Sequence, residues 1–508
     1  MLSVNALTLP NRRNYDTLAV VKLRLTTVFA WFTPLQKQHW SDSEICNRKI
    51  GDLIMMEPYL PRHKLVVLDD DPTGVQTVHD IFVYTDWSVE SIRAGFTSPE
   101  PLFFILTNSR SFTREQTRQV HTEIAQRIWQ VSQETGIPFV LISRSDSTLR
   151  GHFPLETEVL RQTLQSLGAP VFDGEILCPF FPEGGRFTID NIHYVKCGVK
   201  LVPAAETEFA KDKTFGYTSS DLRYYIEEKT SGRFPASEVI CIPLELLRSG
   251  DLDAIEELLL SAKDFRKIVV NAEFYSDLKA FCAAFARAVE KGHNYMFRSA
   301  AAIVKVLGGV PDQPLLNKSA MNSTDSSAGL VVVGSHTQKS TAQLNELLTL
   351  DNIEAIPFQS DLVLECDEIF NAEITRARKA CEAAIRSGKT AVVYTNRTLL
   401  VREGDTQESA LVRSVKISNG LQTIVKELKI TPAFIIAKGG ITSSDVATKA
   451  LGVRRAVVLG QVKPGIPVWR TSEESLFPGV PYIIFPGNVG NEETLREIVE
   501  VLTQTDNA

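Results

Sequence analysis

The 508-residue chain is too long for one hydrophobic core, so two domains are expected. Its 44% apolar and 23% charged composition is that of a globular protein. A formal net charge of -7 argues against a general nucleic-acid binder, and no apolar run is long enough to cross a bilayer.

Seven cysteines, none in a CxxC pair, disfavour a disulfide scaffold and structural zinc. They point to a reducing compartment, so a cytoplasmic protein with neither membrane nor nucleic-acid partners is expected. Residues 1–60 read as an N-terminal extension. Arg12, Arg13, Lys22 and Arg24 are interleaved with Val20, Val21, Leu23, Leu25 and Val28, and Asp16 is the one acid before Asp42. A mitochondrial presequence has this character; so does a poorly ordered extension or a surface helix, and these readings stay open.

From residue 61 the chain repeats one grammar. An apolar strand runs into a small polar loop, and a helix follows. The first strand, 64–68, ends in Asp69, Asp70 and Asp71, and Pro72, Thr73 and Gly74 then force a turn. Apolar runs follow at 81–84 and 102–106, the second ending in Thr107, Asn108, Ser109 and Arg110. Thr113 and Gln116 make a capping-box pattern before a helix with Val120, Ile124, Ile128 and Val131 on one face. The strand at 139–142 ends in Ser143, Arg144, Ser145 and Asp146. Adjacent acids repel unless something positive compensates. Three polar strand ends in succession imply one crevice lined from several strands.

Over 176–195, Pro179 and Pro182 stiffen a loop, Gly184 and Gly185 turn it sharply, and Arg186 extends from the turn. Residues 207–217 read as a polar loop whose Phe215, Gly216 and Tyr217 are candidates to close over the site. A short helix is expected over 221–228 and strands over 239–242 and 268–270. A helix follows with Leu278, Phe281, Phe285 and Ala288 on one face. Residues 317–329, NKSAMNSTDSSAG, read as a linker between a domain at 61–316 and another at 330–508.

The second domain reads as a separate α/β sheet. Its strands at 330–333, 391–394, 434–437, 456–459 and 482–485 alternate with helices over 372–387 and 409–429. The loops after three strands are rich in glycine and hydroxyls: Gly334 to Thr337, Lys438 to Ser443, and Gly487 to Gly490. Thr442 and Asp445 resemble a capping box.

The two domains suit different ligands. Asp70, Asp71, Arg110, Arg144, Asp146, Arg150 and Arg186 suit a small polyhydroxy acid. Arginine forks a carboxylate or phosphate, and an aspartate can hold or deprotonate a hydroxyl. Ser335, Gly439, Gly440, Thr442 and Gly487 can offer amides and hydroxyls to phosphate oxygens, with Lys438 as a point charge. Neither GxxxxGK[ST] nor GxGxxG is present. The combination suggests phosphoryl transfer from a nucleotide, with domain closure excluding water.

At these motifs the chain resembles the four-carbon acid sugar kinase family, from about Lys64 to the end. The family's DD[x]TG element is similar to Asp70 to Gly74, and its DSTLRG motif stands intact at Asp146 to Gly151. Its proline-rich GR loop resembles Pro179 to Arg186, and its nucleotide-domain serine resembles Ser335. Its GGETS loop is similar to Gly439 to Ser443, and its GNFG loop to Gly487 to Gly490. The resemblance implies two α/β domains with a cleft between them and ATP- and Mg2+-dependent phosphorylation of threonate, erythronate or a 3-oxo relative. Asp70 and Asp71 would be catalytic. Thr73, Arg110, Arg144, Asp146, Ser147, Arg150 and Arg186 would bind the sugar acid. Ser335, Lys438, Gly439, Gly440, Ile441, Thr442 and Gly487 would bind ATP. The chain departs from the pattern at Ile441, where the family has glutamate, at Pro72, at Val489, and at Arg144-Ser145, where the family has lysine. These departures mark a divergent branch. A dehydrogenase using a nicotinamide cofactor on a small hydroxy acid, and a non-catalytic regulator binding both ligands, are the competing readings. A homodimer is left open.

Overall fold

The computed structural model describes residues 58–321, 328–398, 400, 405, 407–487 and 489–504. The expected extension up to residue 57, positions 322–327 of the linker, and Asn488 of the last loop lie outside the described residues. The linker's described start is a short helix, Lys318–Met321, with Met321 buried. Among the described residues no helix is long and apolar enough to cross a membrane.

Two α/β domains are present. The first supplies β1 (Lys64–Asp69), β2 (Ile81–Tyr84), β3 (Leu102–Leu106), β4 (Phe139–Arg144), β5 (Gly174–Cys178), β6 (Arg186–Ile189), β7 (Ile192–Cys197), β8 (Lys200–Pro203), β9 (Ile240–Ile242), β10 (Arg266–Val270) and β11 (Tyr295–Ser299). The second supplies β12 (Leu330–Val333), β13 (Ile353–Phe358), β14 (Thr390–Thr395), β15 (Ile435–Lys438), β16 (Arg455–Lys463), β17 (Ile466–Thr471) and β18 (Pro481–Phe485).

β1 lies between β3 and β4 and runs parallel to both, and all six of its residues are buried. A parallel strand covered on both faces needs the unbroken apolar run that Leu65 to Leu68 supplies. Helices cover it, among them Arg114–Thr135, which the capping box at Thr113 and Gln116 starts as expected. In the second domain β12 lies between β14 and β15 and is likewise parallel to both.

The expectation of two separate sheets is corrected. Among the described residues fifteen strands form one sheet, in the order β13-β14-β12-β15-β18-β17-β16-β2-β3-β1-β4-β11-β5-β10-β9. The seam is antiparallel pairing of β2 with the first half of β16, extended by Asp80 N–H to Val458 O at 2.7 Å and Thr85 N–H to Arg454 O at 3.0 Å. An open edge strand presents unpaired amides and carbonyls, and here the other domain satisfies them. One apolar cluster also crosses the seam, joining Val75, Val78 and Ile81 to Val458, Trp469 and Tyr482.

Several strands escaped the sequence reading for local reasons. β13 ends the sheet and carries exposed Glu354 and Ala355. β17 contains Pro467 and pairs with β16 through a bulged hairpin. The expected loop over 176–195 is instead the end of β5, a turn, and two strands of a separate three-stranded antiparallel sheet, β6-β7-β8.

Because sheet and core are continuous, the two domains should unfold together. Trp469→Ala empties a fully buried site beside the seam and should cost about 3–5 kcal/mol. Calorimetry should show one transition, displaced as a whole; two transitions with only one displaced would mean that the halves melt independently.

Candidate functional site

The three aspartates after the start of the chain's first strand have three different environments. Asp69 still belongs to β1 and is fully buried. Its carboxylate lies on the backbone of Gly74, where a Cβ would come within 1.9 Å of Oδ2, so only glycine fits the turn. Burial pushes the Asp69 pKa well above the usual carboxylate range, although Arg144 Nη1 stands 3.3 Å away. Asp70 is forked by Arg110, with Nη2 to Oδ1 at 2.6 Å and Nε to Oδ2 at 3.1 Å. Burial nevertheless raises its pKa to about 6, against the pull of that guanidinium.

Asp71 accepts from Arg110 Nη1 at 2.5 Å through Oδ2, and from the Thr73 amide at 2.7 Å through Oδ1, where the Thr73 hydroxyl also bonds. Burial works against its charge, but Arg110, Arg144 and the Thr73 bonds outweigh burial and hold the pKa below its ordinary value. Arg110 is itself fixed from behind. It sits in the turn Ser109–Ser111, and the Ser109 hydroxyl donates to buried Glu156 at 2.6 Å.

The DSTLRG loop follows β4. Asp146 accepts from Arg150 Nε at 2.7 Å and from the Thr148 hydroxyl. Burial opposes ionisation, yet Arg150 and Arg110 keep Asp146 far below the usual carboxylate range. The Ser147 carbonyl is met by His193 Nε2 at 2.8 Å, and burial brings that imidazole's pKa down to about 4. Arg144 is turned inward: besides Asp69 it donates from Nη2 to Gln76 Oε1 at 3.2 Å. Gln76 in turn donates to the Gly465 carbonyl of the second domain at 3.0 Å.

Arg186, the first residue of β6, differs from these arginines. Its guanidinium lies 5.7 Å from the Phe209 ring centre, and Arg150 approaches the same ring at 5.1 Å. Its Nε is buried without a hydrogen-bond partner, and among the described residues it forms no ion pair. Burial lowers its pKa, outweighing the pull of Asp146, and Arg150 adds to the lowering.

In the second domain, β12 runs into Gly334 and Ser335. Thr337 caps the helix Gln338–Leu347. The hydroxyls of Ser335, Thr337 and Ser340 form a ring of contacts at 2.9, 3.1 and 3.3 Å. After β15, Gly439 has φ +111°, a conformation strained for any other residue, and the helix Gly440–Asp445 begins immediately. The expected capping box at Thr442 and Asp445 is therefore not formed. Thr442 already lies in the first turn, and Asp445 accepts instead from Ser418 at 2.9 Å and Gln422 at 3.0 Å.

Two adjoining cavities collect these groups. The larger, of about 810 Å³, is lined by Asp71, Thr73, Arg110, Arg144, Asp146, Ser147, Arg150 and Arg186 from the first domain. Thr337, Gln338, Lys339, Gly440 and Gly487 line it from the second. The smaller, of about 430 Å³, is lined by Ser335, Gly439, Gly440, Ile441, Thr442 and Gly487. Gly440 and Gly487 border both. A Cβ built on Gly440 would stand 3.9 Å from Asp71 Oδ2, so the acid cluster and the glycine loop face each other directly.

Two expected site residues line neither cavity. Asp70 is enclosed behind Arg110. Lys438 is fully buried, with Nζ on the Pro486 carbonyl at 2.7 Å and over the Phe485 ring at 4.0 Å, so it braces the loop before Gly487 from beneath. Burial, aided by Lys339, lowers its pKa to about 7. Phe215 and Tyr217 are also corrected. Both are buried, and the Tyr217 hydroxyl donates to the Thr148 carbonyl, so they support the floor rather than close over it. The sequence reading missed Gln76, Phe209, Thr337 and Lys339; only Thr337 carried a local signal, as a hydroxyl cap three residues before Ser340.

Among the described residues no group of three or more His, Cys, Asp or Glu side chains is placed to hold a metal ion. The carboxylates nearest the junction are already committed to arginines and threonines.

Residues 65–307 match the family described as the sugar-binding N-terminal domain, and residues 330–495 match the nucleotide-binding C-terminal domain. No curated protein matches the chain. The crystal structure of a putative tRNA synthase from Salmonella typhimurium LT2 shares the fold, with a TM-score of 0.62 and 17% identity over 85% of this chain and 98% of that one. A Bordetella bronchiseptica domain of unknown function, crystallised with citrate as a domain-swapped dimer, is 18% identical over 87% of this chain and 99% of its own, with a TM-score of 0.32. The chain thus carries, in this order, a match to a sugar-binding N-terminal domain and a match to a nucleotide-binding C-terminal domain.

Proposed function

We propose that the protein is an ATP-dependent kinase that phosphorylates a hydroxyl of a small sugar acid, of the threonate, erythronate or 3-oxo-tetronate type. The observation that carries this reading is the approach of the Asp71 carboxylate to Gly440 at the junction of the two cavities. An acceptor hydroxyl held by Asp71 lies next to amides suited to a terminal phosphate. Asp71 takes the hydroxyl proton as the acceptor oxygen bonds to the γ-phosphorus and the bridging bond to ADP breaks. Arg110 keeps the carboxylate ionised and aimed. Asp70 acts through Arg110 and touches no reactant.

Arg186 receives the substrate carboxylate, because among the described residues it is the cleft arginine that forms no ion pair and its Nε is buried without a hydrogen-bond partner. Arg150 and Asp146, with Thr73 and Ser147, take the remaining hydroxyls. Ser335, Gly439, Gly440, Thr442 and Gly487 cradle the nucleotide. Thr337 and Lys339 border the larger cavity where the transferred phosphoryl emerges. Magnesium bound with the nucleotide would supply charge neutralisation on the phosphates.

Asp71→Asn should reduce kcat by about 100- to 10,000-fold while ATP and sugar-acid affinities stay within a few-fold. The measurement is a panel of four-carbon sugar acids with ATP and magnesium, read by phosphorus NMR. Retained turnover would remove Asp71 from the chemistry, and ligand-induced stabilisation without turnover in the wild type would favour a regulator. Arg186→Ala should raise KM for the acid by about 10- to 100-fold, the loss of a charge-assisted hydrogen bond, with KM for ATP unmoved. An equal effect on both would assign Arg186 to structure.

Lys438 gives a pH test. Its folded pKa of about 7 lies below the unfolded value of 10.5, so the unfolded chain binds more protons between those limits. Its contribution to stability therefore grows as pH rises through that window. The difference in unfolding free energy between wild type and Lys438→Met should increase from pH 7 to 10; a flat difference would mean that the ammonium stays charged when buried.

A further inference from the structure

The nucleotide reading fixes which end of the smaller cavity faces the reaction. Phosphates must lie at Gly440 and Gly487, the residues shared with the acid-lined cavity. The rest of the nucleotide then extends along the smaller cavity away from that junction. The wall of this cavity also carries exposed aliphatic carbon. Ile441 is 67% exposed although it lines the cavity, and Val415, on the helix Gln407–Lys426, is 50% exposed and lines it as well. Leu421 and Ile417 of the same helix continue the apolar surface inward.

The charged groups nearby are occupied with one another. Asp445 bonds Lys449 at 2.7 Å as well as Ser418 and Gln422, and Arg413 is paired with Asp405. Among the described lining residues of this cavity, Asp445, Lys449 and Arg413 are thus each paired. Exposed aliphatic carbon beside a polar loop is unfavourable in water, and a planar ring laid on it removes that surface.

We infer that Ile441 and Val415 form an aliphatic clamp for the nucleobase of the bound nucleotide. The proposal rests on the nucleotide reading above and extends it. Ile441 gives up any polar contact to magnesium or ribose and takes instead a packing contact with the base. Affinity at this end then comes from covered apolar area, and affinity at the other from amides and hydroxyls.

The test is isothermal titration of the full chain with magnesium-ATP and, separately, with inorganic tripolyphosphate, which has the phosphates but no base. Wild type should bind ATP more tightly than tripolyphosphate. Ile441→Ser and Val415→Ser should each weaken ATP about fivefold, and the double variant by about the product, with tripolyphosphate within twofold of wild type. Ile441→Leu should keep wild-type affinity. Both positions are exposed, so circular dichroism should be unchanged. If the serine variants leave ATP binding intact, or weaken ATP and tripolyphosphate alike, the clamp is wrong and the nucleotide reading stands. If wild type binds neither ligand, the nucleotide reading fails and takes the clamp with it.

Discussion

Three consecutive carboxylates at the end of a buried strand cannot all be ionised and dry without compensation. The guanidinium of Arg110 resolves most of that conflict. It spans Asp70 and Asp71 with three short contacts and is held in place by the Ser109–Glu156 bond behind it. Removing one partner of such a cluster leaves a buried charge uncompensated, which is far more costly than never having built it. The arrangement therefore selects one geometry of the loop, and in that geometry Asp71 alone reaches the cavity. The remaining cleft arginines divide in the same way: Arg144 and Arg150 pair with Asp69 and Asp146, and Arg186 forms no ion pair among the described residues. A buried guanidinium with no ion pair among the described residues is suited to an added anion.

Much of this was legible in the residues. Asp71 beyond the strand at 64–68, Asp146, Ser147 and Arg150 of the intact DSTLRG stretch, and the glycine-rich strand ends at Ser335, Gly439 to Thr442 and Gly487 line the two cavities. What was not legible follows from geometry that a linear pattern does not carry. Adjacent positions beyond the last paired residue of a strand have no fixed alternation, so the sequence could not say that Asp71 faces the cleft and Asp70 does not. Lys438 looked like a phosphate ligand because it precedes two glycines. As the last residue of β15 it is instead flanked by the buried ends of β12 and β18, and its side chain goes beneath the loop. Gln76 was invisible because both its partners, Arg144 and Gly465, are distant in the chain.

The first-domain wall of the larger cavity and the wall of the smaller cavity are built by different means. The first uses charged side chains that order one another. The second uses backbone, small hydroxyls and close packing, with Gly439 at φ +111° freeing the amides that follow. Such a division suits phosphoryl transfer, where positioning and charge stabilisation supply most of the acceleration.

The pairing of β2 with β16 has a further consequence. A hydrogen-bonded seam inside one sheet cannot act as a clamshell hinge, since opening it would strand amides and carbonyls along both edges. Adjustment around bound ligands is thereby assigned to loops and side chains at the cavity rim. The same seam makes the two halves poor interchangeable modules. A chimaera that took one half from a relative would have to reproduce the facing strand edge, its register and the Asp80 and Thr85 contacts, so inheritance of substrate range and nucleotide handling is tied to a shared backbone border.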